Sequence, residues 1–126
     1  MEKIILDTNF LMIPVQFNVD IYSEIDRLFP GSHRLFTLDK CVREINGLIA
    51  RGGKEKKQAS LALQLYLHFN VQVLETKHAK NADDALVKLA QEGYRIATMD
   101  AVLRKRIRAA HGLLLTMRQK KYLILD

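Results

Sequence analysis

Short strand-like runs alternate with helical patterns along the whole chain. The runs are brief aliphatic or β-branched segments, and most are followed by a stretch whose apolar residues recur at helical spacing. The predicted strands are residues 3–6, 34–37, 71–74, 95–98 and 113–117, with 122–125 as a candidate sixth. The predicted helices are residues 10–17, 20–29, 39–51, 54–69, 81–91 and 100–111. Strands joined through helices run parallel, so we expect an α/β sandwich with helices on both faces of a mainly parallel sheet.

Particular residues mark the ends of these helices. Asp20 and Asp39 are predicted to cap the N-termini of the helices that they precede. Gly93 and Gly112 are predicted to end helices, as glycine commonly does just past a helix. No internal repeat or low-complexity linker interrupts the pattern, so the sequence predicts one domain over residues 1–126.

Composition narrows the class of protein. Apolar residues make up 48% of the chain, which is enough to bury a core and argues against disorder. No apolar stretch is long enough to span a bilayer, and the N-terminal residues do not resemble a signal peptide. The lone cysteine, Cys41, allows no intramolecular disulfide and no cysteine-based zinc site. We therefore expect a cytoplasmic protein without membrane contact, with Cys41 as a small buried residue and not a nucleophile.

Basic residues outnumber acidic ones, giving a formal net charge of +6, and they cluster near residues 51–57, 104–108 and 118–121. Clustered positive charge suits a polyanion such as RNA or DNA, because neutralised phosphates release their counterions. A solvated face that keeps the protein soluble explains any single cluster equally well. Three clusters together favour a nucleic-acid partner.

Acidic residues stand near the predicted strand ends, where parallel sheets bind their ligands. Asp7 follows the first strand directly, and Asp100 lies two residues beyond the fourth. Glu44 lies in the helix after the second strand, and Asp83 and Asp84 lie at the first turn of the helix before the fourth. If the first and fourth strands are neighbours, these separate segments bring acids to one rim of the sheet.

Several carboxylates close together repel one another unless some protonate or a cation lies among them. A site made only of oxygen ligands suits Mg²⁺ or Mn²⁺. Such ions activate water and stabilise the charge on a phosphodiester during displacement. A basic chain with an acidic pocket that binds metal therefore predicts a phosphodiester hydrolase.

Each acid also has a purely structural explanation. Asp83, Asp84 or Asp100 would serve as an N-cap, and Glu44 as the ion-pair partner of a neighbouring basic residue. Asp7 is the hardest to explain in this way, because it stands between an apolar strand and an apolar helix, where an unpaired charge is costly. The combination of acids thus carries more weight than any one of them.

The motifs around these acids resemble those of the PIN-domain nuclease family. In chain order the matching segments are Ile4 to Asn9 for the first acid, Val42 to Ile45 for the second, Ala82 to Val87 for the third, and Ala97 to Asp100 with Leu103 for the fourth. The resemblance covers nearly the whole chain. It implies a PIN-like three-layer sandwich around a five-stranded parallel sheet, and cleavage of single-stranded or structured RNA.

The resemblance also implies roles for individual residues. Mg²⁺ or Mn²⁺ would be bound by the catalytic acids Asp7, Glu44, Asp84 and Asp100. Asp84 is preferred to its neighbour because a small and an aliphatic residue follow it, as in the family motif, and Asp83 is then an auxiliary candidate.

Asn9 and Thr98 would orient a carboxylate or a metal-bound water. Capping explains Asn9, and strand packing explains Thr98, equally well. RNA contacts are expected from basic residues on the helices that carry the second and fourth acids: Lys40, Arg43, Arg104, Lys105 and Arg108.

Within the family, Ala82 to Asp84 and the segment 117–123 resemble archaeal relatives of the eukaryotic small-subunit processome nuclease. That likeness implies ribosomal RNA processing and a ribosome-assembly partner. Toxins of the VapC type share the four acids, which implies an antitoxin partner instead, and family members often form homodimers. A non-catalytic RNA-binding module and a receiver-type α/β domain are the alternatives of other classes.

Overall fold

A six-stranded sheet forms the middle layer of the computed structural model, which describes all residues from Met1 to Asp126. The strands follow the order β3-β2-β1-β4-β5-β6 across the sheet. Strands β1 to β5 are parallel, and β6 pairs antiparallel with β5. Their bounds are β1 Glu2–Leu6, β2 His33–Leu38, β3 Gln72–Leu74, β4 Arg95–Ala97, β5 Leu113–Arg118 and β6 Tyr122–Leu125.

Six helices connect these strands. They are α1 Thr8–Phe17, α2 Ile21–Leu28, α3 Asp39–Arg51, α4 Lys54–His68, α5 Ala82–Gln91 and α6 Ala101–Ala109. The α/β prediction is thus confirmed. The sheet has six strands and not the five implied by the family resemblance, because the candidate segment 122–125 does pair with β5. None of the helices combines the length and the apolar character that a bilayer crossing requires.

Two hydrophobic clusters pack on opposite faces of the sheet. Successive side chains of a strand point to opposite faces, and β1 divides its residues accordingly. Ile4 and Leu6 belong to the larger cluster, together with residues of α1, α2 and α4, whereas Ile5 belongs to the smaller cluster with residues of α5 and α6. Since β1 is apolar on both faces, it lies at the centre of a three-layer molecule.

The strand order reverses between β1 and β4. From β1 the chain first builds β2 and β3 on one side, and it then returns to place β4 and β5 on the other. Ile5 is in register with Ile96 across this junction, so the first and fourth strands are neighbours, which is the condition that the predicted convergence of the acids required. Such a reversal leaves a crevice at the carboxyl ends of the two strands, which is where open α/β sheets bind ligands.

Helix ends show which capping predictions hold. Asp20 caps α2 as predicted, because its carboxylate accepts a hydrogen bond from the Ser23 N–H at 3.0 Å. The capping role predicted for Asp39 is wrong: α3 starts at that residue without a side-chain cap. The Asp39 carboxylate instead accepts hydrogen bonds from the Thr76 hydroxyl at 2.6 Å and the Thr76 N–H at 3.2 Å, which hold its pKa below the usual range.

Candidate active site

Asp7 lies at the crevice between β1 and β4. β1 ends at Leu6, and Asp7 then caps α1 by accepting a hydrogen bond from the Phe10 N–H at 2.8 Å. The residue is only 8% exposed, and it is the one buried acid of the chain. Asp7 therefore lies at the start of an apolar helix, where water solvates its charge poorly.

Burial raises the pKa of the Asp7 carboxyl from 3.8 to about 6. Hydrogen bonds with the Thr98 side chain and the Phe10 N–H oppose this rise, whereas the negative charges of Asp83 and Asp100 add to it. The direction follows from the lower polarity of the surroundings, which disfavours the charged form. A cation placed beside Asp7 would favour the charged carboxylate and so oppose this rise in pKa.

Asp100 approaches the same place from β4. It caps α6 through a hydrogen bond from the Leu103 N–H at 2.8 Å, so its structural explanation also holds. The Asp100 N–H donates to the hydroxyl of buried Thr98 at 3.1 Å. Because the Thr98 side chain is also hydrogen-bonded to Asp7, one threonine fixes the position of both acidic segments.

A small cavity of about 80 Å³ opens among these residues. It is larger than one water requires. Four of its lining residues are acidic, and they come from the ends of β1 and β4 and from the helices α3 and α5. The full lining is Asp7, Thr8, Asn9, Cys41, Glu44, Ala82, Asp83, Leu86 and Asp100.

Asp83, and not Asp84, lines this cavity. The Asp84 carboxylate accepts a hydrogen bond from the Arg106 guanidinium at 2.8 Å, and it borders a separate cleft. Neither acid caps α5, because Asn81 does so by accepting from the Asp84 N–H at 2.8 Å. Asp83 thus lies at the cavity, whereas the sequence motif favours Asp84 as the metal ligand.

The lining fits a hard dication by its chemistry. Carboxylate oxygens dominate, and Mg²⁺ and Mn²⁺ prefer oxygen ligands. No three of the chain's Asp, Glu, His or Cys side chains are close enough together, as they stand, to hold one ion directly. Mg²⁺ retains several of its waters when it binds, so carboxylates spaced around a cavity suit a hydrated ion better than a bare one.

Four further lining residues are not among the site residues predicted from the sequence: Thr8, Cys41, Ala82 and Leu86. Cys41 is buried, as expected, and burial raises the pKa of its thiol, so it stays a neutral wall residue. It precedes Glu44 by three residues on α3, and this spacing puts two helix residues on one face. That spacing is the signal that would have placed Cys41 beside the acid.

Of the five basic residues expected to contact RNA, three already have hydrogen-bond or ion-pair partners within the protein, and two do not. Lys40 donates to the carbonyl of Thr76 at 2.6 Å and to its hydroxyl at 2.8 Å. Arg104 and Arg108 both form ion pairs with Asp126, and the Nε of Arg104 is buried without a partner. Two of the five, Arg43 and Lys105, are exposed and form no ion pair.

A wider cleft of about 560 Å³ adjoins the cavity and shares Thr8, Asn9 and Glu44 with it. It runs between α1, α3 and the start of α4. Its remaining lining residues are Met12, Gln16, Gly47, Leu48, Arg51 and Glu55. The acidic cavity is therefore open to a surface groove large enough for a small ligand or a nucleotide.

Comparison with known proteins agrees with this architecture. Residues 4–120 match a family described as "PIN like domain". The chain is similar to Ribonuclease VapC4 of Methanocaldococcus jannaschii, with 29% identity over 127 aligned residues that cover 97% of this chain and 95% of the relative.

Two solved structures share the fold. The PIN domain endonuclease Utp24 superposes with a TM-score of 0.80 at 22% identity, covering 98% of this chain and 90% of that one. A domain of a functionally unknown protein from Methanocaldococcus jannaschii gives 0.63 at 13% identity, covering 94% and 92%. Since the family match extends over most of its length, from β1 to the end of β5, the chain belongs to the PIN-like domain family.

Proposed function

We propose that this protein is a Mg²⁺- or Mn²⁺-dependent endoribonuclease, with Asp7, Glu44, Asp83 and Asp100 as its metal-binding and catalytic acids. The observation that carries the proposal is that these four acidic residues line one cavity at the crevice between β1 and β4. Asp84 is left out of the set because its carboxylate is bound to Arg106. A dication in the cavity would supply charge neutralisation for a phosphodiester and activation of water.

The chain's own residues hold the acids in position. The Phe10 N–H and the Thr98 side chain fix Asp7, and the N–H of Leu103 fixes Asp100. These donors belong to helix starts and to a buried strand end, which are rigid parts of the fold. Asp7 and Asp100 are therefore held in place before a ligand binds, and such preorganisation favours catalysis.

RNA is the proposed substrate for two reasons. The similar protein from Methanocaldococcus jannaschii is named a ribonuclease, and its similarity extends over nearly the whole of both chains. The net charge of +6 suits a polyanion. We propose that Arg43 and Lys105, which are exposed and unpaired, contact phosphates, whereas Lys40, Arg104 and Arg108 are occupied within the protein.

The similar proteins suggest two biological roles for this chain, and we propose ribosomal RNA processing as the first. The fold shared with the PIN domain endonuclease Utp24 supports it, together with the tail segment 117–123 noted in the sequence. Similarity to VapC4 supports the second role, a toxin ribonuclease held by an antitoxin. Growth arrest on expression that a small co-encoded protein relieves indicates the toxin. Accumulation of precursor ribosomal RNA after deletion indicates processing.

Other parts of the proposal concern surroundings and partners. A cytoplasmic location is proposed because Cys41 is unpaired and buried as a thiol. A homodimer is proposed for either role, a ribosome-assembly partner belongs to the processing role, and the antitoxin belongs to the toxin role. Sedimentation of the purified protein, alone and with the candidate partner, tests each of these associations.

The central experiment measures cleavage of end-labelled single-stranded RNA by the purified protein. Cleavage is expected with Mn²⁺ or Mg²⁺, and it should stop in excess chelator and in the variants Asp7→Asn and Asp100→Asn. Asp20→Asn is the matched control, because Asp20 also caps a helix but lies at an exposed position on α2, outside the cavity. Undiminished cleavage in chelator, or in both active-site variants, would contradict the proposal.

A further inference from the structure

Gly47 stands at a helix position where the fold itself has no use for glycine. It lies within α3, four residues before the helix ends at Arg51. Its φ is not in the left-handed region, and a Cβ built on it would meet no atom within 4 Å. Glycine is the poorest helix former apart from proline, so alanine would fit this position and favour the helix more.

Gly112 provides a comparison, because packing does require a glycine at that position. A Cβ there would lie 2.7 Å from the Cγ2 of Ile107 and 2.9 Å from the Cβ of Ala90. The close approach of α5, α6 and β5 therefore excludes a side chain at Gly112. No such contact exists at Gly47, so packing within the chain does not require a glycine there.

The space beside Gly47 is the cleft of about 560 Å³ that adjoins the acidic cavity. Glu44, Gly47 and Arg51 are spaced at i, i+3 and i+7, so they lie along one face of α3. Glu44 belongs to both the cavity and the cleft, whereas Arg51 belongs to the cleft alone. Arg51 lies about 10 Å further along the helix axis than Glu44. Gly47 thus separates an acid of the active site from a cation.

The remaining cleft residues suit a nucleotide. Arg51 is exposed and forms no ion pair, so its guanidinium is free for a phosphate. Asn9 and Gln16 offer amides that donate to and accept from a base or a sugar, and Met12 and Leu48 offer apolar surface. Glu55 repels phosphate but accepts hydrogen bonds from hydroxyl and amino groups, so its side of the cleft suits a base or a sugar and not a phosphate.

We infer that this cleft binds a nucleotide of single-stranded RNA next to the phosphate that is cut, and that Gly47 keeps the path along α3 open for it. The inference rests on the proposed function and adds a substrate-binding site to it. Gly47 is a specificity-determining position, because a side chain there would project between Glu44 and Arg51. A second copy of the chain is the competing occupant, and the experiment separates the two cases.

The experiment compares Gly47→Ala and Gly47→Leu with Asn46→Ala, an exposed neighbour on α3 that does not line the cleft. Gly47→Ala and Asn46→Ala should each raise the Tm, by about 3 °C for the glycine replacement. Affinity for a fluorescent single-stranded RNA should fall about 3-fold for the alanine and at least about 10-fold for the leucine variant, because a blocked hot-spot pocket costs on the order of 1.4 kcal/mol or more. KM for RNA should rise more than kcat falls, and Asn46→Ala should leave both unchanged.

The inference about the cleft is wrong if Gly47→Leu folds and then binds and cleaves RNA as the wild type does. The proposed function would survive that result, because the wild type still cleaves RNA. If Gly47→Leu does not fold, equal RNA affinities of Gly47→Ala and Asn46→Ala overturn the inference about the cleft. Unchanged RNA affinity with weaker self-association in sedimentation assigns the cleft to a second copy, which also overturns it. If the wild type binds RNA without cutting it, the proposed function fails, and the binding series alone still decides the cleft.

Discussion

Asp7 combines two requirements that conflict in the metal-free protein. It must accept the Phe10 N–H to start α1, and it must present a charge in a buried place. Its pKa of about 6 in the folded state lies above the ordinary 3.8, so between these values the folded chain holds a proton that the unfolded chain has lost. Stability therefore falls as pH rises through that window, by about 3 kcal/mol in all, and the loss is complete above it.

The variant Asp7→Asn should separate stability from activity. Asparagine keeps an oxygen for the Phe10 N–H, since it caps as well as aspartate does, but it carries no charge. In chelator at about pH 7 the variant should be more stable than the wild type by about 3 kcal/mol, and near pH 3.5 the two should be nearly equal. Urea unfolding measures both differences, and RNA cleavage should be absent. A variant less stable than the wild type at neutral pH would contradict this explanation of the Asp7 pKa.

Adjacent acids on α5 should differ sharply in their effect on activity. Asp83→Asn removes a carboxylate that lines the cavity, so cleavage should fall by at least the roughly 10- to 100-fold seen for residues that support metal sites. Asp84→Asn removes only the ion pair with Arg106 at the surface, so activity should stay within about 2-fold and stability within about 1 kcal/mol. Initial rates of RNA cleavage test the pair, each variant serving as the control for the other. The reverse order would restore the preference that the motif suggested.

The motif predicted that α5 would contribute an acid and favoured Asp84, whereas Asp83 is the acid that lines the cavity. Neighbouring residues of a helix point about 100° apart, so the choice between Asp83 and Asp84 depends on how the helix is rotated on the sheet. That rotation is set by the burial of Ala85, Leu86 and Ala90 and by the partner available to Asp84, which is Arg106 on another helix. Contacts between distant elements decide it, and the local pattern does not contain them.

At the scale of elements, periodicity and capping residues predicted most of the structure. Every strand and helix found was predicted within a few residues, and α1 begins at Thr8 and not at residue 10 because Asp7 caps it. Asp39 was misassigned because its partner, Thr76, lies in the segment after β3, far along the chain. Gly112 was predicted to end a helix, but His111 is the residue that adopts the left-handed conformation after α6. Gly112 is instead required by close packing.

Gly112→Ala should loosen the contact between α5 and α6, the helices that follow Asn81 and Asp100. An added Cβ would overlap Ile107 and Ala90, and overpacking of this kind costs about 1–3 kcal/mol. We expect a Tm lower by several degrees, roughly 5 °C. Gly31→Ala is the matched control, because a Cβ at Gly31 meets nothing within 4 Å. Thermal unfolding followed by circular dichroism compares the two, and an unchanged Tm for Gly112→Ala would contradict the close packing.

At the scale of the molecule, the distribution of charge matters more than its sum. The net charge of +6 attracts polyanions, but several cations are already bound within the protein. Lys40 is held by Thr76, Arg106 by Asp84, and Arg108 by Asp126. The sequence showed where basic residues cluster, but not which of them have partners, since those partners come from other elements.

The salt dependence of RNA binding should therefore distinguish free from engaged cations. Each phosphate contact to single-stranded RNA contributes about 0.7 to the slope of log affinity against log salt concentration. Arg43→Ala, on the exposed surface next to Glu44, should weaken binding at low salt and reduce the slope by about that amount. Arg108→Ala should leave the slope nearly unchanged, because its guanidinium already pairs with Asp126. Fluorescence anisotropy over a salt series in chelator measures both without cleavage. If the two variants had equal salt-dependence slopes, pairing within the protein would not decide which basic residues contact the RNA. RNA binding would then depend on net charge alone.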